Sequence, residues 1–91
     1  MALLDDVKSA LRVSGTAYDT EINNLISAAQ QDLKVSGIDT MYFATDDLVE
    51  RAITVFCKTH FGYNNPEAPR FAESYLDIKK QLVTSTDYAL E

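Results

Sequence analysis

The segment from residue 46 to residue 63 constrains the fold most, because its apolar side chains recur at steps of three and four. This spacing places them on one broad face of a helix, which Val55 and Phe61 widen further. The face consists of Leu48, Val49, Ala52, Ile53, Phe56, Cys57 and His60. A helix that is apolar over more than half its circumference is typically the buried centre of a small bundle. We therefore predict a central helix over roughly residues 46–61.

Both ends of this predicted helix carry residues that suit helix termini. Thr45 can cap the N-terminus, because its hydroxyl accepts a hydrogen bond from an otherwise unpaired backbone N–H. Asp46 and Asp47 place negative charge at the positive end of the helix dipole. Gly62 adopts the left-handed conformation without strain, so we expect the helix to stop there.

Three further helices are predicted, and the fold class is all-α: a small bundle of about four helices with a flexible C-terminal tail. The first helix is predicted from Leu3 to Arg12 and is too short to be stable alone, so it must pack on a neighbour. The second is predicted from about Thr20 to Val35, capped by Asp19 or Thr20.

The last helix is predicted to begin near a pair of prolines. Pro66 suits a first helical position, while Pro69 can delay the start to Ala68. We divide the chain into a helical domain over residues 1–83 and a tail over residues 84–91, since the tail lacks a sustained apolar period.

The segment between the second and central helices is harder to interpret. Met41, Tyr42 and Phe43 form an apolar run that is too short for a helix of its own. We predict a tight connection whose aromatic rings cover one end of the bundle. An exposed adhesive patch is the alternative.

Length and composition are those of one small domain. At 91 residues, folding removes only about 60–65% of the chain surface from water, which allows a single modest core. Three glycines and two prolines favour long helices over many short strands. The single cysteine cannot form an internal disulfide. No apolar run approaches the ~18 residues of a membrane span and no signal-peptide pattern occurs, so we expect a soluble cytoplasmic protein.

No arrangement of residues in the sequence predicts a catalytic or metal site. Acidic pairs such as Asp5 with Asp6 fall at predicted helix starts, where the dipole accounts for them. Cys57 and His60 are three residues apart, but zinc needs at least three protein ligands and the chain has no second cysteine or histidine. We expect Cys57 to be a small buried side chain and His60 to lie at the core edge, bonded to a carbonyl. Neither enzymatic activity nor a cofactor is expected.

A small DNA-binding regulator is the alternative function, with residues 4–35 as a helix-turn-helix. A recognition helix normally presents Arg or Lys to phosphates and base edges. The second predicted helix instead carries Asp19, Glu21 and Asp32, with Lys34 as its one basic residue. The net charge of −6 also disfavours a surface that grips phosphates.

One face of the second predicted helix is polar yet nearly uncharged. Such a face loses less free energy on burial against another subunit than a face rich in lysines, because desolvation of charge costs more. A plain solvated face is the alternative. The candidate interface residues are Asn23, Asn24, Ser27, Gln30 and Gln31.

The order and spacing of three segments resemble a known family. They are LLDDVKSALRV over residues 3–13, DTEINNLISAAQQDL over residues 19–33, and DDLVERAITVFCKTHFGYNNPEAPRFAESYLDIKKQL over residues 46–82. The most telling part is the central helix that runs into HFGYNNPEA and is followed by RFAESY. Together these features resemble the head–tail connector (adaptor, head-completion) proteins of tailed phages and prophages.

The resemblance implies a non-enzymatic structural subunit without a cofactor. Such a subunit forms a homo-oligomeric ring below the portal protein, extends the DNA channel, and offers a docking platform to the tail or the next head-completion protein. DNA passes through without sequence-specific binding, no membrane takes part, and the subunit moves from the host cytoplasm into the virion. In relatives the C-terminal segment reaches towards the portal, so the portal contacts here are expected at Asp87, Tyr88 and Leu90.

Overall fold

A computed structural model describes residues 3–39, 42–43, 46–62 and 66–84 of the chain. It contains four helices and, within these ranges, no strand. The predicted all-α bundle is therefore confirmed. The helices are α1 (Leu3–Leu11), α2 (Asp19–Val35), α3 (Asp47–His60) and α4 (Ala68–Thr84).

Helix α3 is the centre of the bundle, as its apolar face predicts. It packs against α1, α2 and α4, and α1 also packs against α2. Burial of these facing side chains is the main source of stability for helices of this length. From α3 the core takes Val49, Ala52, Ile53, Val55 and Cys57; the other helices and the α2–α3 connection add Val7, Ile22, Ile26, Ala29, Leu33, Ile38, Tyr75, Ile78 and Leu82.

Helix α3 is capped by Asp46. One carboxylate oxygen of Asp46 accepts hydrogen bonds from the backbone N–H groups of Leu48 at 2.9 Å and Val49 at 3.1 Å. The predicted cap, Thr45, lies outside the described residues. At the other end Gly62 has φ +81°, so the predicted left-handed stop is confirmed.

Helix α2 begins without a side-chain cap, so the prediction of a cap at Asp19 or Thr20 is wrong. Tyr18 occupies the N-cap position, and Asp19 is already helical. The Asp19 carboxylate is instead 2.7 Å from the Lys8 ammonium, which also donates to the Gly15 carbonyl. This tertiary ion pair between α1 and α2 takes the carboxylate away from the backbone N–H groups that it would otherwise cap.

The two remaining connections agree with the sequence in most respects. Helix α4 begins at Ala68, the later of the two predicted starts, with Pro69 in its first turn, where no intrahelical N–H bond is lost. Tyr42 and Phe43 are partly buried against the core, as expected of rings that cover its end; Met41 lies outside the described residues. In the described part of the chain, no helix combines the length and apolarity needed to cross a bilayer.

Candidate subunit interface

The five polar residues predicted as an interface lie on one face of α2, opposite its buried side. Ile22, Ile26, Ala29 and Leu33 hold the inner side of the helix in the core. The 3.6-residue repeat then turns the amide-bearing residues outward. The structure exposes Asn23, Asn24, Ser27 and Gln31 and half-buries Gln30. We call these five residues the amide face of α2.

The amide face is chemically versatile because it carries little charge. Each Asn or Gln side chain offers two N–H donors and one carbonyl acceptor, so it can bond to cationic or anionic partners. Lys34 is the one cation that shares this side of α2, and it is exposed. The face can therefore be covered by another protein surface with a modest desolvation cost.

This distribution of charge bears on the helix-turn-helix alternative over residues 4–35. Lys34 is the one basic side chain of α2, and Lys8 of α1 is paired with Asp19. The outward face of α2 thus presents amides and a single cation where a recognition helix would present several basic groups. The geometry gives this helix no basic surface for a DNA groove.

The predicted portal-contact residues Asp87, Tyr88 and Leu90 lie outside the described residues. The described chain ends at Thr84, the last residue of α4. Val83, one position earlier, is 47% exposed, so an apolar side chain remains at the surface where the predicted tail begins.

Cys57 and His60 have different environments, which separates them chemically. Cys57 is fully buried, and burial raises the pKa of its thiol to about 12, so the reactive thiolate is absent at neutral pH. His60 was expected at the core edge, but the structure exposes it; its ring centroid is 4.5 Å from that of Phe56. As the last residue of α3, His60 lies beyond the end of the core that buries the preceding turns.

A polar cluster between α2 and α4 was not foreseen from the sequence. Asp32 accepts a hydrogen bond from the Tyr75 hydroxyl, and Lys79 Nζ lies 3.1 Å from the same carboxylate oxygen. Desolvation raises the pKa of Asp32, but the hydrogen bonds from Tyr75 and Lys79 and the Lys79 charge outweigh it, so its pKa is lowered. Burial, together with the bond to Asp32, raises the pKa of Tyr75. The cluster joins two helices, which is a structural role.

No three histidine, cysteine or acidic side chains come close enough to hold a metal ion in the described parts of the chain. The candidate interface is the outward side of a helix whose inner side is fixed in the core.

One comparison with known proteins found a match. A family model described as phage connector protein matches residues 3–89, which is nearly the whole chain. No curated protein matches the chain, and no solved structure matches it. The match includes every helix described above and most of the tail, and it agrees with the resemblance carried by the three sequence segments. This chain belongs to the phage connector protein family.

Proposed function

We propose that this protein is a structural subunit of a phage head–tail connector that forms a ring below the portal. In that position it extends the DNA channel and provides a docking platform for the tail or the next head-completion protein. The observation that carries the proposal is the family match over residues 3–89 of a chain that folds as a compact bundle. The protein performs no reaction and holds no cofactor in this role.

The amide face of α2 supports a contact between neighbouring subunits. In a ring each subunit offers two different surfaces in a head-to-tail contact. Asn24, Ser27 and Gln31 are exposed on a straight helix whose inner side is held by the core, so they form a preorganised surface. Preorganised side chains lose less conformational entropy on binding than mobile ones.

The negative charge of the chain supports a passage for DNA. At a net charge of −6, the subunit repels phosphates rather than binding them. A channel through which DNA must pass benefits from weak, sequence-independent contact. The subunit is proposed to act in the virion after assembly in the host cytoplasm.

The predicted tail supplies the proposed portal contact. Tyr88 and Leu90 are apolar anchors that follow the end of α4, and Asp87 adds an acidic group beside them. Each tail contributes a modest contact, and the ring repeats that contact around the portal, so the total affinity rises through effective concentration.

The test is an affinity pull-down of tagged protein from cells that produce the virions, read by mass spectrometry. We expect the wild-type chain to recover the portal protein and head-completion partners. A truncation after Thr84 should lose the portal, and Ser27→Arg should lose incorporation into particles, while the matched exposed substitution Asp77→Arg on α4 keeps both. Circular dichroism confirms that all variants fold. Recovery of promoter DNA or a regulatory protein instead of a portal would contradict the proposal.

A further inference from the structure

A long groove runs along the outer side of α3, between α1 and α4. Its larger part has a volume of about 620 Å³, and a second part of about 480 Å³ continues it past the end of α3. The two parts share Ala10, Lys58, Arg70 and Phe71, so they form one surface, which we call the α3 groove. Its described lining comes from α1, α3, α4 and the residues next to them, and none of it from α2.

The α3 groove gathers charge of both signs. All three arginines of the chain, Arg12, Arg51 and Arg70, line it. With Lys58 they make four of the eight cationic residues of a protein whose net charge is −6. The lining is also acidic, with Asp6, Asp47 and Glu50 where α3 begins and, past its end, Glu67, which forms an ion pair with Arg70.

The end of the groove where α3 begins also contains an unsatisfied acceptor. Oxygen Oδ2 of Asp6 is buried and, among the described residues, accepts no hydrogen bond. This oxygen is closed to solvent, so the carboxylates that a partner can reach at this end are those of Asp47 and Glu50.

The α3 groove and the amide face of α2 lie on opposite sides of the molecule. The buried face of α2 packs on the inner side of α3, and the amide face points away from that contact. On α3, Arg51, Thr54 and Lys58 lie opposite the buried Ala52 and Ile53 and form the floor of the groove. One copy thus presents amides on one side and the groove on the other.

We propose that the amide face of α2 in one copy of this chain docks in the α3 groove of the next copy. The inference rests on the proposed ring and names its second contact surface. Arginines bond to amide carbonyls, while the accessible carboxylates accept amide N–H groups, so a neutral amide face fits a groove of mixed charge. The lengths agree as well. The amide face, from residue 23 to residue 31 of α2, spans ~12 Å and fits within the ~21 Å of the 14 residues of α3, at about 1.5 Å per residue.

The test blocks each surface separately with a bulky ring. Ser27→Trp blocks the amide face at its centre, and Ser74→Trp blocks the wall of the groove. The matched controls are Leu76→Trp and Lys80→Trp on α4, which are exposed positions outside both surfaces. Sedimentation velocity measures the mass of each purified variant up to ~1 mM, a concentration at which even a millimolar contact populates oligomers. Circular dichroism verifies folding.

We expect the wild-type chain and both controls to form oligomers and each blocked variant to remain at its monomer mass of 10.1 kDa. Mixing the two blocked variants should double that mass and go no further, because one intact groove then meets one intact amide face. Normal assembly of Ser74→Trp would overturn the groove contact and leave the ring in place. If Ser74→Trp instead bound duplex DNA more weakly than the wild-type chain, the groove would be a nucleic-acid site. A wild-type chain that stays monomeric at this concentration would overturn the contact between the amide face and the groove, whereas the portal pull-down tests the ring independently.

Discussion

Asp32 links α2 and α4, which otherwise are held together mainly because each packs on α3. Its carboxylate receives the Tyr75 hydroxyl and lies 3.1 Å from the Lys79 ammonium. Tyr75 is nearly buried, so its hydroxyl needs this acceptor, while Asp32 itself is 40% exposed and the pair is partly screened by water. The cluster therefore contributes modestly to the free energy of unfolding, and its hydrogen bonds have a defined geometry.

Asp32→Ala should lower the free energy of unfolding by about 1 kcal/mol, because it leaves the buried Tyr75 hydroxyl without its acceptor. Urea unfolding at neutral pH measures the change. Asp77→Ala removes an exposed carboxylate of α4 and serves as the control, with a change within about 0.5 kcal/mol. Equal stability of wild type and Asp32→Ala would show that the cluster contributes nothing.

The pH dependence of this difference has a defined direction. The pKa of Asp32 is lower in the folded chain than its ordinary value of 3.8, so its contribution is fully present above that value. It is lost as the pH falls below 3.8 towards the lowered native pKa, because protonation then becomes less costly for the unfolded chain than for the folded one. The stability gap between wild type and Asp32→Ala should shrink over that range in urea titrations, and a gap that widened on acidification would contradict the assignment.

Cys57 should react with a thiol reagent far more slowly in the folded protein than in urea. Its pKa is about 12 against an ordinary 9.0, which lowers the thiolate fraction on the order of a thousandfold before steric protection is counted. The reagent is an aromatic disulfide, and the absorbance of the aromatic thiolate that it releases measures the rate of the reaction with Cys57. A chain carrying Cys57→Ala with Ser27→Cys places the thiol on the exposed amide face and should react at once. Fast labelling of native Cys57 would show that its thiol is accessible and reactive in the folded chain.

At the scale of the element, substitutions of two neighbouring aspartates test how much the N-cap stabilises α3. Asp46→Ala removes the acceptor of the Leu48 and Val49 N–H groups and should destabilise the protein by about 1 kcal/mol. Asp47→Ala is the matched control, because Asp47 is exposed in the first turn and contributes chiefly through the helix dipole, about 0.3–1 kcal/mol. Thermal unfolding compares the two, and a larger loss for Asp47→Ala would place the cap elsewhere.

The helices could be predicted because the information that forms them is local. The apolar steps of α3 and the turn at Gly62 are read within a few residues, and both agree with the structure. The start of α2 could not be predicted, since Asp19 bonds to Lys8 of another helix instead of capping its own. For the same reason Asp32 gave no sign of a partner 43 positions away. Contacts between distant positions depend on how helices pack, which a single sequence does not display.

At the candidate site, too, the local feature could be predicted and the feature built from distant residues could not. The five residues of the amide face could be identified from the helical repeat alone, and the structure brings them together. The α3 groove was missed, because Arg12, Arg51 and Arg70 come from three separate parts of the chain and meet only after α1 and α4 pack on α3.

At the scale of the whole molecule, charge separates a connector from a DNA-binding regulator. We expect no gel shift of duplex DNA at micromolar protein in low salt, because the net charge of −6 opposes phosphate contact where screening is weakest. Glu21→Lys with Gln31→Lys is the comparison, since both positions are exposed and the added cations on α2 should strengthen any binding. A sequence-dependent shift of the wild-type chain would favour the regulator over the connector.

The opposite placement of the amide face and the α3 groove also has a genetic consequence. In the proposed ring, a copy with one blocked surface would still bind through the other, so it would join a growing ring and then stop it. Where intact and blocked genes are expressed equally, the fraction of rings made only of intact copies is one half raised to the number of subunits. A blocked allele would therefore be dominant, and the steepness of the fall in infectious particles with its dosage would report how many copies a ring contains.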